Sequence, residues 1–202
     1  IPKRDWSSDV CSSDLKVYPS ALSTFSAALD DAGRHRWGPL AACARVEVEM
    51  RNPSQRWSGH AYLDSNEGDE PVSEAFREWD WSRALLSDGS TAVIYDIQHK
   101  SGNDRLLGLR FFPDGRIDEF QPPPRHGLAP TAWRLPRRMR SEGINPVRVI
   151  EMLEDTPFYE RSVLKSHLFG EDVISVHETL NVPRLISPVV QRMLPFRMPR
   201  WA

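Results

Sequence analysis

A carboxylate, a phenol and an imidazole stand two residues apart in Trp57-Ser58-Gly59-His60-Ala61-Tyr62-Leu63-Asp64. Read as a strand, the segment puts Trp57, Gly59, Ala61 and Leu63 on one face and Ser58, His60, Tyr62 and Asp64 on the other, because side chains alternate. A polar face is ordinarily the solvent face. Turned toward the inside of a closed barrel, it would instead let Tyr62 and His60 hydrogen-bond and would shield Asp64 from water. Desolvation disfavours a charged carboxyl, so a shielded Asp keeps its proton to higher pH and can act as a general acid.

Around this strand lie His35-Arg36-Trp37, Asn66, Gly68, Glu70 and Trp79-Asp80-Trp81-Ser82-Arg83. Indole faces attract cations, so Trp37, Trp79 or Trp81 could stabilise a carbocation in a dry pocket. The competing reading makes the tryptophans core residues and Asp80 with Arg83 a structural ion pair. Other catalytic signatures are missing: there is no Gly-rich phosphate loop, His-Glu-x-x-His, paired-cysteine zinc spacing or Gly-x-Ser-x-Gly elbow. The six histidines are scattered without metal-ligand spacing, so no metal site is expected.

The elements that would position these side chains read mostly as β. Ala44 to Met50 alternates apolar and polar, and Asn52-Pro53-Ser54 turns the chain into Trp57–Asp64. Thr91 to Ile97 and Arg105 to Phe112 are further strands, separated by a loop at Ser101-Gly102-Asn103-Asp104. Pro113-Asp114-Gly115-Arg116 is a turn, and Pro122-Pro123-Pro124 an extended loop. Trp133 to Arg138, Val147 to Leu153, Phe158 to Leu168 and Val173 to Leu180 complete the set, the last entered by a turn at Gly170-Glu171-Asp172. Short strands at this spacing suggest an antiparallel barrel or sandwich. Ser73 to Trp79, behind Pro71, is the best candidate helix among few.

Composition narrows the function classes. The chain has 202 residues, 40% hydrophobic and 27% charged, with a mean hydropathy of −0.50, which is ordinary globular material. No apolar run reaches the roughly 18 residues of a membrane helix, and no signal-peptide pattern occurs. Two cysteines, Cys11 and Cys43, fit a reducing compartment better than a disulfide framework. Residues 1–120 carry 14 basic and 20 acidic side chains, and residues 121–202 carry 12 and 8. A tail this mildly basic is too sparse for a nucleic-acid site, but it leaves room for contact with an anionic membrane. Pro195 to Trp201 mixes basic and aromatic residues as interfacial segments do, although an ordinary docked C-terminus is the preferred reading. Asp5 to Leu15 matches, residue for residue, the in-frame translation of a sequencing-library adapter, so residues 1–15 are expected to be non-native and an N-terminal part of the protein to be missing.

Several long motifs resemble one family in register. Trp57 to Asn66, Trp79-Asp80-Trp81-Ser82-Arg83-Ala84, Glu154-Asp155-Thr156-Pro157-Phe158-Tyr159 and Met193 to Arg200 are similar to carotenoid 1,2-hydratases (hydroxyneurosporene synthases), as are Pro19-Ser20-Ala21-Leu22 and His35-Arg36-Trp37. The resemblance runs over Lys16–Arg200 and implies a fold of two lipocalin-like antiparallel β-barrels. Residues 16–45 would be the remnant of the first barrel and a linker, and 46–202 the C-terminal barrel. It further implies a cofactor-independent bacterial hydro-lyase that protonates the 1,2 double bond of an acyclic carotenoid end group, as in neurosporene or lycopene, and adds water.

By motif position, Asp64 would be the proton donor, Tyr62 would orient it and His35 would assist the water. Trp37 and Trp81 would steady the cation, with His60, Asn66, Trp79 and Arg83 also meeting substrate. The expected partners are the carotenoid and the missing N-terminal domain, with no nucleic acid. The expected location is cytoplasmic, peripheral contact at the inner membrane being the alternative. One position departs from the family pattern: the residue between Asn66 and Gly68, usually aromatic and commonly Trp, is Glu67. Two other readings stay open, a lipocalin-like carrier of an apolar ligand and a cyclase-type enzyme on the same scaffold.

Overall fold

The computed structural model describes residues 13–51, 54–143 and 146–195. In chain order the first elements are β1 (Ser13–Pro19), β2 (Ala27–Ala28), β3 (His35–Arg51), β4 (Ser54–Gly68) and α1 (Val72–Ala75). Next come β5 (Phe76–Leu85), β6 (Thr91–His99), β7 (Arg105–Phe111), β8 (Ile117–Glu119), β9 (Arg125–Gly127) and β10 (Arg138–Arg140). The chain continues through β11 (Arg148–Asp155), β12 (Tyr159–Leu168), β13 (Glu171–Asn181), α2 (Val182–Leu185) and α3 (Pro188–Met193). The protein is mostly β, with antiparallel sheets and few short helices, as the patterning predicts.

Seven strands pair in the order β11-β12-β13-β5-β6-β7-β8. No ladder joins β8 to β11 among the described residues, so this sheet is open, in contrast to the closed barrel expected. A second sheet holds β1, β2 and β4 against the long strand β3, and β9 with β10 forms a two-stranded ribbon. β3 runs unbroken through positions 45 and 46.

β6 is buried along its whole length, which places it at the centre of two layers. Val93, Tyr95 and Ile97 meet Trp37, Phe76 and Trp81 on one face, and Ala92 and Ile94 meet Ala84, Leu86, Leu168 and Val173 on the other. The first layer is the space between the seven-stranded sheet and the β3–β4 hairpin. The second is closed partly by β9–β10, whose Arg125 and Arg140 pair with Asp96 of β6.

One helix and one strand prediction need correction. Ser73 to Trp79 is helical only as far as Ala75; Phe76 is extended and opens β5, which pairs on both sides with β6 and β13. Sheet pairing and aromatic packing of Phe76 and Trp79 override the local helical pattern. Trp133 to Arg138 is irregular until Arg138, because Arg134 adopts φ 56° and Pro136 has no N–H for a ladder. The turn expected at Asn52-Pro53 lies outside the described residues, as do most of the adapter-like segment, Cys11 and Phe196 to Trp201. Ser13 to Leu15 form the start of β1, opposite Met50, Glu49 and Val48.

Register irregularities lie on either side of Ala41 in the β3–β4 ladder, the first following Pro39, where proline cannot donate a ladder bond. Gly38, beside them, carries the chain close to its neighbour: a Cβ there would lie 2.3 Å from the Phe25 carbonyl oxygen. Gly38→Ala is therefore expected to cost about 1–3 kcal/mol by forcing Phe25 off Trp37, measured by denaturant unfolding.

Candidate active site

Trp37 faces Asn66 and Pro39 faces Asp64 in the β3–β4 ladder, which makes Trp37 and Asp64 diagonal neighbours on one face. That face is turned inward. Trp57 and Leu63, on the opposite face of β4, are 51% and 49% exposed, whereas Tyr62 and Asp64 are half-buried. Trp57 and Leu63 are thus outside and Tyr62 and Asp64 inside, whereas Ser58 and His60, on the face of Tyr62 and Asp64, are exposed.

Asp64 accepts two hydrogen bonds on the same oxygen. Trp37 Nε1 donates to Oδ2 at 2.8 Å and the Tyr62 hydroxyl donates to Oδ2 at 3.2 Å. Trp37 is only 1% exposed, so its indole is a fixed donor rather than a mobile one. Burial, and then the neighbouring Asp64, push the Tyr62 hydroxyl far above the ordinary phenol range, so it stays protonated and able to donate.

Aromatic rings pack beside this carboxyl. The Tyr62 ring lies 5.6 Å from Trp81, Trp37 packs edge-on to Tyr95 at 5.7 Å, and Trp79 meets Tyr95 at 6.3 Å. Arg83 holds its guanidinium 5.2 Å over the Tyr62 ring, and burial pushes its pKa down. Asp80 sits on the other face of β5 and accepts from Thr179 at 2.6 Å, so Asp80 and Arg83 do not form the ion pair considered above. Trp37, Tyr62, Asp64, Trp79, Trp81 and Arg83 are therefore brought together.

His35, His60 and Asn66 are placed differently. His35 is buried, with Nδ1 2.6 Å from Asp30 Oδ2 and Nε2 3.1 Å from the Glu70 carbonyl. Both ring nitrogens have partners, and neither is Asp64. Asp30 also accepts from the backbone N–H groups of Arg34 and His35. Burial works to raise the Asp30 pKa, but the His35 and backbone hydrogen bonds outweigh it and hold the carboxyl below its usual range. His60 is exposed opposite Arg45, and Asn66 is exposed. Glu67 is also exposed, opposite Arg36 on the face of β4 away from Asp64, so the departure from the family pattern does not point at Asp64.

Sequence reading missed Tyr95 and Asp30. Tyr95 was legible only as one aromatic in a β-branched run, and Asp30 precedes its histidine partner by five residues in a turn with no strand pattern.

The profile of the family described as carotenoid hydratase CrtC matches residues 8–202. The chain belongs to that family. An acyclic carotenoid 1,2-hydratase of Rubrivivax gelatinosus is 56% identical over 188 residues, 93% of this chain and 46% of that protein. The corresponding protein of Thiocapsa roseopersicina is 49% identical over 187 residues, 92% of this chain and 46% of that protein. One from Cereibacter sphaeroides is 37% identical over 187 residues, 92% of this chain and 66% of that protein. The chain therefore spans about half the length of the first two hydratases. No solved structure matches it. Membership bears out the resemblance carried by the Trp57–Asn66 and Trp79–Ala84 motifs. No helix among the described residues is long and apolar enough to cross a membrane.

Proposed function

We propose that the intact protein hydrates the 1,2 double bond of an acyclic carotenoid end group and that this chain carries the acid. The observation that supports it most is the double hydrogen bond to Asp64 Oδ2 inside an aromatic wall. Protonating an isolated alkene asks for an acid whose conjugate base is stabilised at the moment of transfer. Two donors already aimed at Oδ2 do that without reorganisation, and they leave Oδ1 to carry the proton.

The proton passes from Oδ1 to C2 of the end group, leaving a tertiary cation at C1. Indole and phenol faces of Trp37, Trp81 and Tyr62 stabilise that cation better than hydrocarbon would. Water adds at C1, and the oxonium returns a proton to the Asp64 carboxylate. No electrons are gained or lost, so acid, water and π faces suffice and a redox cofactor has no step to perform.

The inner face also offers a path for a linear polyene. Opposite Trp81 on β13 lies Glu178, and along the same face Val176 leads to Ile174, which is 54% exposed. The hairpin β3–β4 packed across a curved sheet is compatible with a lipocalin-like barrel completed in the longer protein, the missing half serving as this chain's first partner. Contact with the inner-membrane surface would give access to a lipid-soluble substrate.

His35, with both nitrogens engaged, fits better as a brace between Asp30 and the Glu70 carbonyl than as the water's base in this arrangement. Trp37→Phe tests the donor role, because it keeps an aromatic ring and removes one hydrogen bond. Hydration by the full-length protein should fall about 10- to 100-fold. Unchanged turnover in pigment extracts would contradict the role.

A further inference from the structure

Two polar groups of the inner face lack hydrogen-bond partners among the described residues. Trp81 is 8% exposed, and its Nε1–H is fully buried with no acceptor. Buried indole N–H groups ordinarily find one, so this donor calls for an explanation. Tyr95 is 4% exposed, and its hydroxyl makes no hydrogen bond to the described residues. The two residues stand directly opposite each other in the β5–β6 ladder, so their side chains leave the same face about 5 Å apart at Cβ.

Each is one ring away from Asp64. Trp81 packs on Tyr62, and Tyr95 packs on Trp37; Tyr62 and Trp37 are the two donors to Oδ2. Burial pushes the Tyr95 hydroxyl far above the ordinary phenol range, and the charges of Asp64 and Glu178 push the same way. Tyr95 is therefore a neutral hydroxyl, able to accept one hydrogen bond and to donate another.

We infer that Trp81 Nε1–H and the Tyr95 hydroxyl hold the water that attacks the cation, an inference that rests on the hydratase reading above. The indole N–H donates to the water oxygen, and the water gives one hydrogen to Tyr95 Oη. One lone pair is left for C1. On attack the C1–O bond forms, and the oxonium proton goes to the Asp64 carboxylate, which restores the acid. Trp81 and Tyr95 are positioning residues in this scheme: Asp64 transfers the proton, and they decide whether water or proton loss quenches the cation.

That division predicts a signature in D2O. Without a held water, the cation formed by deuteron transfer gives up a proton from C2 or a methyl group and returns as deuterated, unhydrated carotenoid. The full-length protein carrying Trp81→Phe, and separately Tyr95→Phe, is incubated with lycopene in D2O, and both pigments are analysed by mass. Hydrated product should fall about 10-fold, while deuterium in recovered lycopene per hydrated molecule rises by a similar factor. Tyr95→Phe removes a single oxygen, so it keeps the test valid if Trp81→Phe does not fold. Hydration near the unmodified level, or exchange and hydration falling together in constant ratio, overturns the water site. Absence of both exchange and hydration in the unmodified protein, or their survival in Asp64→Asn, instead overturns the underlying acid reading and removes the water site with it.

Discussion

Asp64→Asn in the full-length protein should lower carotenoid hydration roughly 10²- to 10⁴-fold while leaving folding intact. The amide keeps the size of the side chain and still accepts from Trp37 Nε1 and the Tyr62 hydroxyl through its oxygen. What it loses is the proton. An effect on turnover without a change in melting temperature would separate chemistry from architecture, since Asp64 is half-buried and its hydrogen bonds survive the substitution. Near-normal hydration by a folded variant would refute the assignment and favour the carrier reading.

The second large effect concerns stability and lies on the other face of the seven-stranded sheet. Glu160 is fully buried, 2.7 Å from His177 Nδ1 and 3.0 Å from Arg137 Nη1. His177 Nε2 meets the Arg138 carbonyl at 2.8 Å, with Asp80 Oδ1 at 3.7 Å. Burial opposes both charges. For Glu160, hydrogen bonding and charge from His177 with the charge of Arg137 win, and its pKa lies below the ordinary 4.5. For His177, hydrogen bonding and charge from Glu160 with Asp80 win, and its pKa lies above the ordinary 6.5.

The signs fix a pH window. The Glu160 contribution is present above 4.5 and is lost as pH falls through its lowered folded value. The His177 contribution is complete below 6.5 and is lost as pH rises through its raised folded value. Asp80 works against Glu160, because burial raises its carboxyl and its ionisation costs stability as pH rises past 3.8. Melting temperature should therefore be highest between about 4.5 and 6.5 as far as this pair decides it. Glu160→Gln leaves His177 and Arg137 buried without their anion and should cost about 3–5 kcal/mol near pH 6, with a flattened pH profile. A loss under about 1 kcal/mol, read from chemical denaturation, would mean that the network is neutral rather than stabilising.

How much of this was legible in the sequence differs from residue to residue. The strand from Trp57 to Asp64 and its two faces followed from period-two alternation alone. Which face pointed inward did not, because the polar set ordinarily goes outside and only the packing of β3–β4 against β5 and β6 decides otherwise. Trp37 and Asp64 are 27 residues apart, and their pairing depends on the register irregularities near Pro39, which no local pattern reveals. Tyr95 looked like strand filler because its role needs Trp81 opposite it, a long-range fact of pairing. The buried Glu160–His177–Arg137 cluster was invisible for the same reason: each residue reads as an ordinary polar position until three segments converge. Closure of a barrel was overstated, since strand number and spacing say nothing about whether the two edge strands meet.

Pigment analysis in a carotenoid-producing host reads out directly whether Asp64 is the acid of a carotenoid hydratase. A lycopene-accumulating bacterial host would express the chain joined to its native preceding half, beside the same protein carrying Asp64→Asn. A more polar pigment, heavier than lycopene by one water, should appear in the first culture and almost none in the second. Unchanged lycopene in both, with soluble protein present, would contradict it.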